Sequence, residues 1–193
     1  YGDSSLMALS KITTESLLDG EITTAKIADS QITAAKFASG VGGKVVQVVN
    51  TTTSAMATGT ATIPVDDTIP QNTEGTEFMT LAITPTSASN KLIVSVEAEL
   101  AYSASGTLVS IVLFQDSTAS AIAITTETLG GGANWFLTHS LAHYMTAGTT
   151  SATTFKVRSG GHQAGTVTFN GSAGARKYGG IANSSITIME IAV

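Results

Sequence analysis

Residues 91–101 read KLIVSVEAELA. Leu92, Val94, Val96, Ala98 and Leu100 share one parity; Ser95, Glu97 and Glu99 share the other, with Ile93 as the exception. Alternation with a period of two is the mark of a strand buried on one face and wet on the other, the usual state of an antiparallel sheet. Working outward, KVVQVV at 44–49 and FMTLAI at 78–83 read as strands, the second ending at Pro85. Pro64 and Pro70 bracket VDDTI, an irregular surface crossing or edge strand. Further strands are expected at 108–115, 121–125, 135–145, 153–158, 166–169 and 185–193, separated by Gly-rich or polar loops at 127–133 and 170–180. Short strands with turn signals between them and no convincing helix indicate a sandwich or jelly roll.

Two of these strands are apolar on both faces. In 108–115, Leu108, Val112 and Phe114 oppose Val109, Ile111 and Leu113; in 185–193, Ile186 and Ile188 oppose Met189, Ile191 and Val193. A two-layer sandwich covers one face of each sheet only. The other face is therefore expected against a second copy of the domain.

Ahead of the strands, residues 12–40 repeat as ITTESLLDGE, ITTAKIADSQ and ITAAKFASG, at 12–21, 22–31 and 32–40. Ile12, Ile22 and Ile32 recur with Leu17, Ile27 and Phe37 midway between them. An apolar residue at every fifth position makes no stripe on a helix and alternates faces on a strand. Side chains so spaced can be buried where several chains run together, so these six residues are expected to form the core of a trimeric stalk. The alternative is a low-complexity leader. Two regions are expected: residues 1–43 as stalk and 44–193 as the β domain. Tyr1 is not an initiator Met, which suggests a piece of a longer protein.

Composition narrows the function. Only 12% of residues are charged, against about 25% in typical domains, so Thr, Ser, Asn and Gly must supply the polar surface. That suits an extracellular or particle-bound β protein. A net charge of -5 without a basic cluster argues against nucleic acid. The chain has no Cys, hence no disulfide or thiolate chemistry. No apolar run approaches the ~20 residues that span a bilayer.

Decads of the form ITTAKIADSQ before a compact β domain resemble the stalk repeats of bacteriophage tail fibres. The segments IPQNTEGTEFMTLAITP, LFQDSTASAIA, HYMTAGTTSATTFKVRSGG, TFNG and NSSITIMEI resemble a terminal domain of phage tail fibre and appendage proteins. The resemblance implies a homotrimeric appendage on the virion tail, outside the cell, with a jelly-roll head like those of C1q and tumour necrosis factor. It implies other virion tail proteins and a bacterial surface glycan or protein as partners. No receptor-contact residue transfers with it.

Candidate sites follow from residue chemistry. His139 and His143 stand four apart, but Trp135, Leu137, Leu141 and Met145 share their parity, which indicates a strand. On a strand the two rings would be ~13 Å apart, too far to share one metal. Three copies of one His meeting on an axis is the remaining metal arrangement; packed histidines are the alternative. Asp66 and Asp67 read as a calcium pair or a solvated loop, and Glu97 and Glu99 as a carboxylate pair without a cleft. No cofactor and no catalytic residue is expected. Receptor binding is expected on loops, through Asn134, Trp135, His162, Gln163, Arg176, Lys177 and Tyr178, where aromatic faces and directional polar groups are exposed. Trp135 reads equally as core. The leading expectation is thus an adhesive, non-enzymatic trimer. Its rivals are an assembly or capping domain and a polysaccharide depolymerase.

Overall fold

The strand read at 91–101 forms as β4 (Lys91–Tyr102), and both of its edges are occupied. The computed structural model describes Ile27, residues 44–128 and residues 130–193. The decads, and with them Ile12, Leu17, Ile22, Ile32 and Phe37, lie outside the described residues. Lys44–Val193 is one compact unit. Its strands are β1 (Val45–Thr53), β2 (Ala57–Gly59), β3 (Thr76–Ile83), β4, β5 (Leu108–Gln115), β6 (Ala123–Thr128), β7 (Phe136–Thr146), β8 (Thr153–Gly161), β9 (Val167–Phe169), β10 (Gly171–Ser172), β11 (Ala175–Arg176) and β12 (Ser184–Ile191). Among the described residues there is no α-helix, and one short 3-10 turn spans Tyr178–Gly180.

The strands form an all-β, sandwich-like fold with antiparallel pairing throughout. In the larger sheet β7 pairs along one edge of β4, from Lys91↔Thr146 to Ala101↔Phe136. Two strands share the other edge: β12 over Lys91 to Glu97, then β9 over Leu100 to Tyr102. β1 adds to β12, and β2 adds to β9. At the changeover, Glu99 finds no strand partner on that edge. Its N–H donates to Ser184 Oγ at 2.9 Å, its carbonyl accepts Asn170 N–H at 2.7 Å, and Ser184 Oγ donates to Asn170 Oδ1 at 2.7 Å. Three residues thus satisfy backbone groups that would otherwise be buried unpaired. The smaller sheet runs β3-β8-β5-β6.

Between the sheets lie the inward residues expected from parity. Leu92, Val94, Val96, Ala98 and Leu100 of β4 are buried against Ile186 and Ile188 of β12, and Val109, Ile111 and Leu113 of β5 against Phe155 and Val157 of β8. Each such side chain contributes about 1.5–3 kcal/mol of burial.

The outer face of β5 is covered from within the chain, which corrects the expectation of a second copy there. Ile63, just before the Pro64–Pro70 crossing, is buried against Val112 and Phe114, with Ala121 beside them. The crossing at 60–75 is pinned to the smaller sheet. Ile63 N–H donates to the Gly161 carbonyl at 3.0 Å, and Asn72 N–H to the Ala119 carbonyl at 2.7 Å. Arg158 donates through Nε to the Glu74 carbonyl at 2.8 Å and through Nη2 to the Gly75 carbonyl at 2.7 Å. Gly75 has φ +62°, a left-handed turn in which a Cβ would also meet Ile63. Asp66 is spent on its own turn, its Oδ1 accepting from Thr68 N–H and Oγ1.

Besides Tyr102, whose ring joins the core, two titratable side chains are fully buried. Glu190, on the parity of Ile186 and Ile188, is fully buried without a cation. Its Oε1 accepts from Asn90 Nδ2 at 2.6 Å and from Thr86 N–H and Oγ1, both at 2.8 Å; a longer bond comes from Ser87 N–H at 3.3 Å. Its Oε2 accepts from Gln47 Nε2 at 2.6 Å. One carboxylate therefore ties the 84–90 loop and β1 to β12. Burial raises its pKa, but the donors from Asn90, Gln47 and Thr86 outweigh it and bring the value down to about 2. His139 of β7 is also fully buried, opposite Ala98, and neither ring nitrogen has a hydrogen-bond partner among the described residues. Burial lowers its pKa, and the carboxylate of Glu127, the nearby Val109 carbonyl and the carboxylate of Glu99 oppose this only in part.

Both groups predict acid sensitivity of the same sign. Glu190 titrates lower when folded than when unfolded, so its contribution is complete above its ordinary pKa of 4.5 and is lost as pH falls toward 2. Glu190→Gln should remove roughly 3 kcal/mol at neutral pH and flatten the fall in stability below pH 4.5, measured by urea unfolding across pH. His139 is most stabilising when neutral, above its ordinary value of 6.5, and stability is lost as pH falls below that. His139→Leu should raise stability by about 1 kcal/mol and remove the slope that begins near pH 6.5.

Candidate functional site

Antiparallel connectivity gathers one set of loops at a single end of the sandwich. β4 ends there, β7 and β9 begin there, and β8 ends where β5 begins. Short bonds sew these loops together. Asn134 N–H donates to the Tyr102 carbonyl at 2.7 Å, and Ser103 N–H to the Thr166 carbonyl at 3.0 Å. Ser172 Oγ donates to the Asn134 carbonyl at 2.7 Å, which joins the β10–β11 hairpin to the loop before β7.

All seven residues expected to bind a receptor fall at this end, but they do not form one group. Trp135 is 52% exposed, so it is a surface residue and not core. It lies over Gly131, where a Cβ would run into the indole. The Tyr178 ring, 73% exposed, meets Phe136 with centroids 6.3 Å apart and the planes tilted by 40°. Ile181 is 79% exposed beyond it. Arg176 is exposed at the hairpin and packs near Gly180; Lys177 is half-buried. Asn134 and Tyr178 have φ of 62° and 50°. Asn tolerates the left-handed region, but a bulky aromatic there is an outlier held by its surroundings.

His162 has a different role. Its Nδ1 accepts from Leu108 N–H at 3.1 Å and lies 2.9 Å from Thr107 Oγ1, so the ring braces the β4–β5 turn. Gln163 is exposed, and its carbonyl accepts the Tyr102 hydroxyl. Burial raises the pKa of that hydroxyl. Sequence reasoning passed over Asn170, which holds this end from beneath. Its Nδ2 donates to the carbonyls of Thr53 and Ala55 at 2.9 and 3.1 Å. Its φ of 53° beside Gly171 was a usable signal, since Asn-Gly marks a left-handed turn.

A second surface is the outer face of the larger sheet. Register places Val48, Met189, Ile93 and Tyr144 in one row across β1, β12, β4 and β7. The exception at Ile93 thus belongs to an apolar band, whose ends Val48 and Tyr144 are 54% and 62% exposed. The next rows are polar, Asn50-Thr187-Ser95-Ala142 and Thr52-Ser185-Glu97-Ser140. Glu97 and Glu99 accept from Ser140 Oγ and Thr138 Oγ1, each at 2.6 Å, on this open face. His143 shares the inward side of β7 with His139, at the position opposite Val94.

Residues 63–193 match the family of the Pgp3 C-terminal domain. No curated protein matches the chain. Among solved structures, the chain is similar to the infectious bursal disease virus Gt strain, at 12% identity and a TM-score of 0.37, over 77% of this chain and 39% of that one. It is also similar to the VP2 subviral particle of the same virus, at 10% identity and a TM-score of 0.33, over 76% and 38%. The chain spans about two-fifths of the length of those structures, and so distant a likeness carries no functional statement.

The family match corrects the resemblance drawn from the sequence. The Pgp3 family is chlamydial, not a bacteriophage tail-fibre family, and the virion-tail location and viral description fall with it. The segments behind that resemblance are alternating strands joined by Thr-, Ser- and Gly-rich turns. Any antiparallel sandwich with a low-charge surface needs these, so they identify an architecture and not a lineage.

Proposed function

This chain belongs to the Pgp3 C-terminal domain family, and we propose that it acts as a trimeric, non-enzymatic adhesive module. In this reading residues 44–193 are a jelly-roll head, the decads at 12–40 supply a three-chain stalk, and the loop end engages a glycan or protein on a cell surface. The strand order β1-β12-β4-β7 against β3-β8-β5-β6 supports the jelly roll, since it is the pairing of eight strands wound as two Greek keys. The apolar row from Val48 to Tyr144 supports assembly through the larger sheet, because a closed homo-oligomer is the usual partner for such a band.

The observation that carries the adhesive reading is the exposure of two aromatic side chains, Trp135 and Tyr178, at one hydrogen-bonded loop end. Aromatic faces with few rotamers lose little entropy on binding, and they stack on sugars or pack into protein surfaces. Three weak copies on one axis would gain avidity on a repeating surface. A capping or assembly role is the second reading, favoured by the same apolar row if it receives a different chain.

Light scattering should give the full chain a mass near three times 19.6 kDa, and Ile93→Glu together with removal of residues 1–43 should reduce the assembly to a single copy. A single-copy mass for the unaltered chain would sink the trimer. Trp135→Ala with Tyr178→Ala should weaken binding to a glycan array or to intact cells by about tenfold or more while leaving the mass unchanged. Undiminished binding would remove the loop end from the reading.

A further inference from the structure

The smaller sheet carries a cleft of about 320 Å³ on its outer face, away from the loop end. It lies near the lower end of the roughly 300–1,000 Å³ range of small-molecule sites. Its walls are two loops stitched to each other: Ala121 N–H donates to the Pro70 carbonyl at 2.9 Å, and Gln71 bridges Ser120. Phe114, buried, closes the floor, and Lys156 stands beside it in register on β8.

The polar lining divides into groups already committed and groups left over. Asp116 accepts from Thr154 N–H at 2.7 Å and from Thr153 Oγ1 at 2.8 Å, which fixes its left-handed turn and sets Ser117 at the rim. Arg158 is committed to the Glu74 and Gly75 carbonyls and reaches one oxygen of Glu77 at 3.4 Å. Asn72 spends an amide hydrogen on the Thr118 carbonyl at 3.2 Å. Among the described residues, Lys156 Nζ, Ser117 Oγ, Asn72 Oδ1 and the second oxygen of Glu77 have no hydrogen-bond partner. Two cations, Lys156 and Arg158, face two carboxylates, Glu77 and Asp116, so the lining is balanced in charge.

From this inventory we infer that the cleft is a second binding site, for an uncharged sugar unit. A balanced lining has no net attraction for an anion, and the chain's charge of -5 adds repulsion. Vicinal hydroxyls, by contrast, both donate and accept. They match a lysine that can only donate, a carboxylate that can only accept, and a Ser and an Asn oxygen between them. The site is independent of the loop-end reading, because it lies toward the opposite end of the smaller sheet and shares none of its residues.

The test is amide NMR of the intact chain titrated with methyl glycosides of glucose, galactose and mannose, at low and at high salt, beside sodium glucuronate and sodium acetate. At least one neutral glycoside should shift the amides of Asn72, Ser117 and Lys156, with an affinity unaffected by salt. Lys156→Ala should weaken that binding about tenfold or more, and so should Lys156→Gln, which keeps the stem and removes the charge. Trp135→Ala should leave it unchanged, so that loss of the loop-end activity and loss of this site are told apart. The inference is overturned if no neutral glycoside shifts these amides, if glucuronate or acetate binds more tightly with a salt-dependent affinity, or if both Lys156 variants bind as the unaltered chain does.

Discussion

The double occupation of β4 is the constraint on which the rest depends. A central strand must have every backbone N–H and C=O answered, and β4 achieves this with one long partner on one side and two partners in relay on the other. Neither β12 nor β9 covers that edge alone. The relay creates the gap at Glu99, and the gap sets the places of Ser184 and Asn170. Because Asn170 also holds the carbonyls of Thr53 and Ala55, the gap fixes where β1 ends and β2 begins. The loop end is therefore built on a defect in the sheet, repaired by side chains.

Glu190 and His139 show two ways in which an ionisable group can enter such a core. Glu190 keeps its charge because neutral donors converge on it, and its burial costs little once the 84–90 loop has folded around it. His139 has no such shell. It is tolerated because a neutral imidazole costs far less to bury than an ion. The cleft on the smaller sheet is a third case, in which polar groups are left free at the surface while their neighbours do structural work.

Much of the architecture was legible because one face of each strand must be apolar. The parity of β4 was plain from Leu92 to Leu100, whereas β12, apolar on both faces in sequence, did not show that Glu190 lies inside with Ile186 and Ile188. What resisted reading were contacts between segments far apart in sequence. Ile63 stands just before a proline-bracketed run, in a stretch with no periodicity, so nothing local assigns it to the outer face of β5. Without that contact, a strand apolar on both faces looks like an interface. Among the site residues, the exposure of Tyr178 followed from its loop, Trp135 read equally as core and proves exposed, and His162, expected to bind a receptor, has its Nδ1 engaged by Leu108 N–H. Family membership was the least legible, since turn chemistry and alternation are shared by unrelated sandwiches.

The place of β12 has a consequence for how the molecule comes into being. It is the last strand among the described residues, yet it sits between β1 and β4, and it brings Glu190 with it. While a ribosome is still making this segment, the first strand has nothing to pair with and half of one edge of β4 lies open. The larger sheet can close only after residues 184–191 have emerged. Its assembly is thus deferred until β12 has been made, and a chain truncated before residue 184 is left with unpaired sheet edges, the kind of surface on which proteins aggregate.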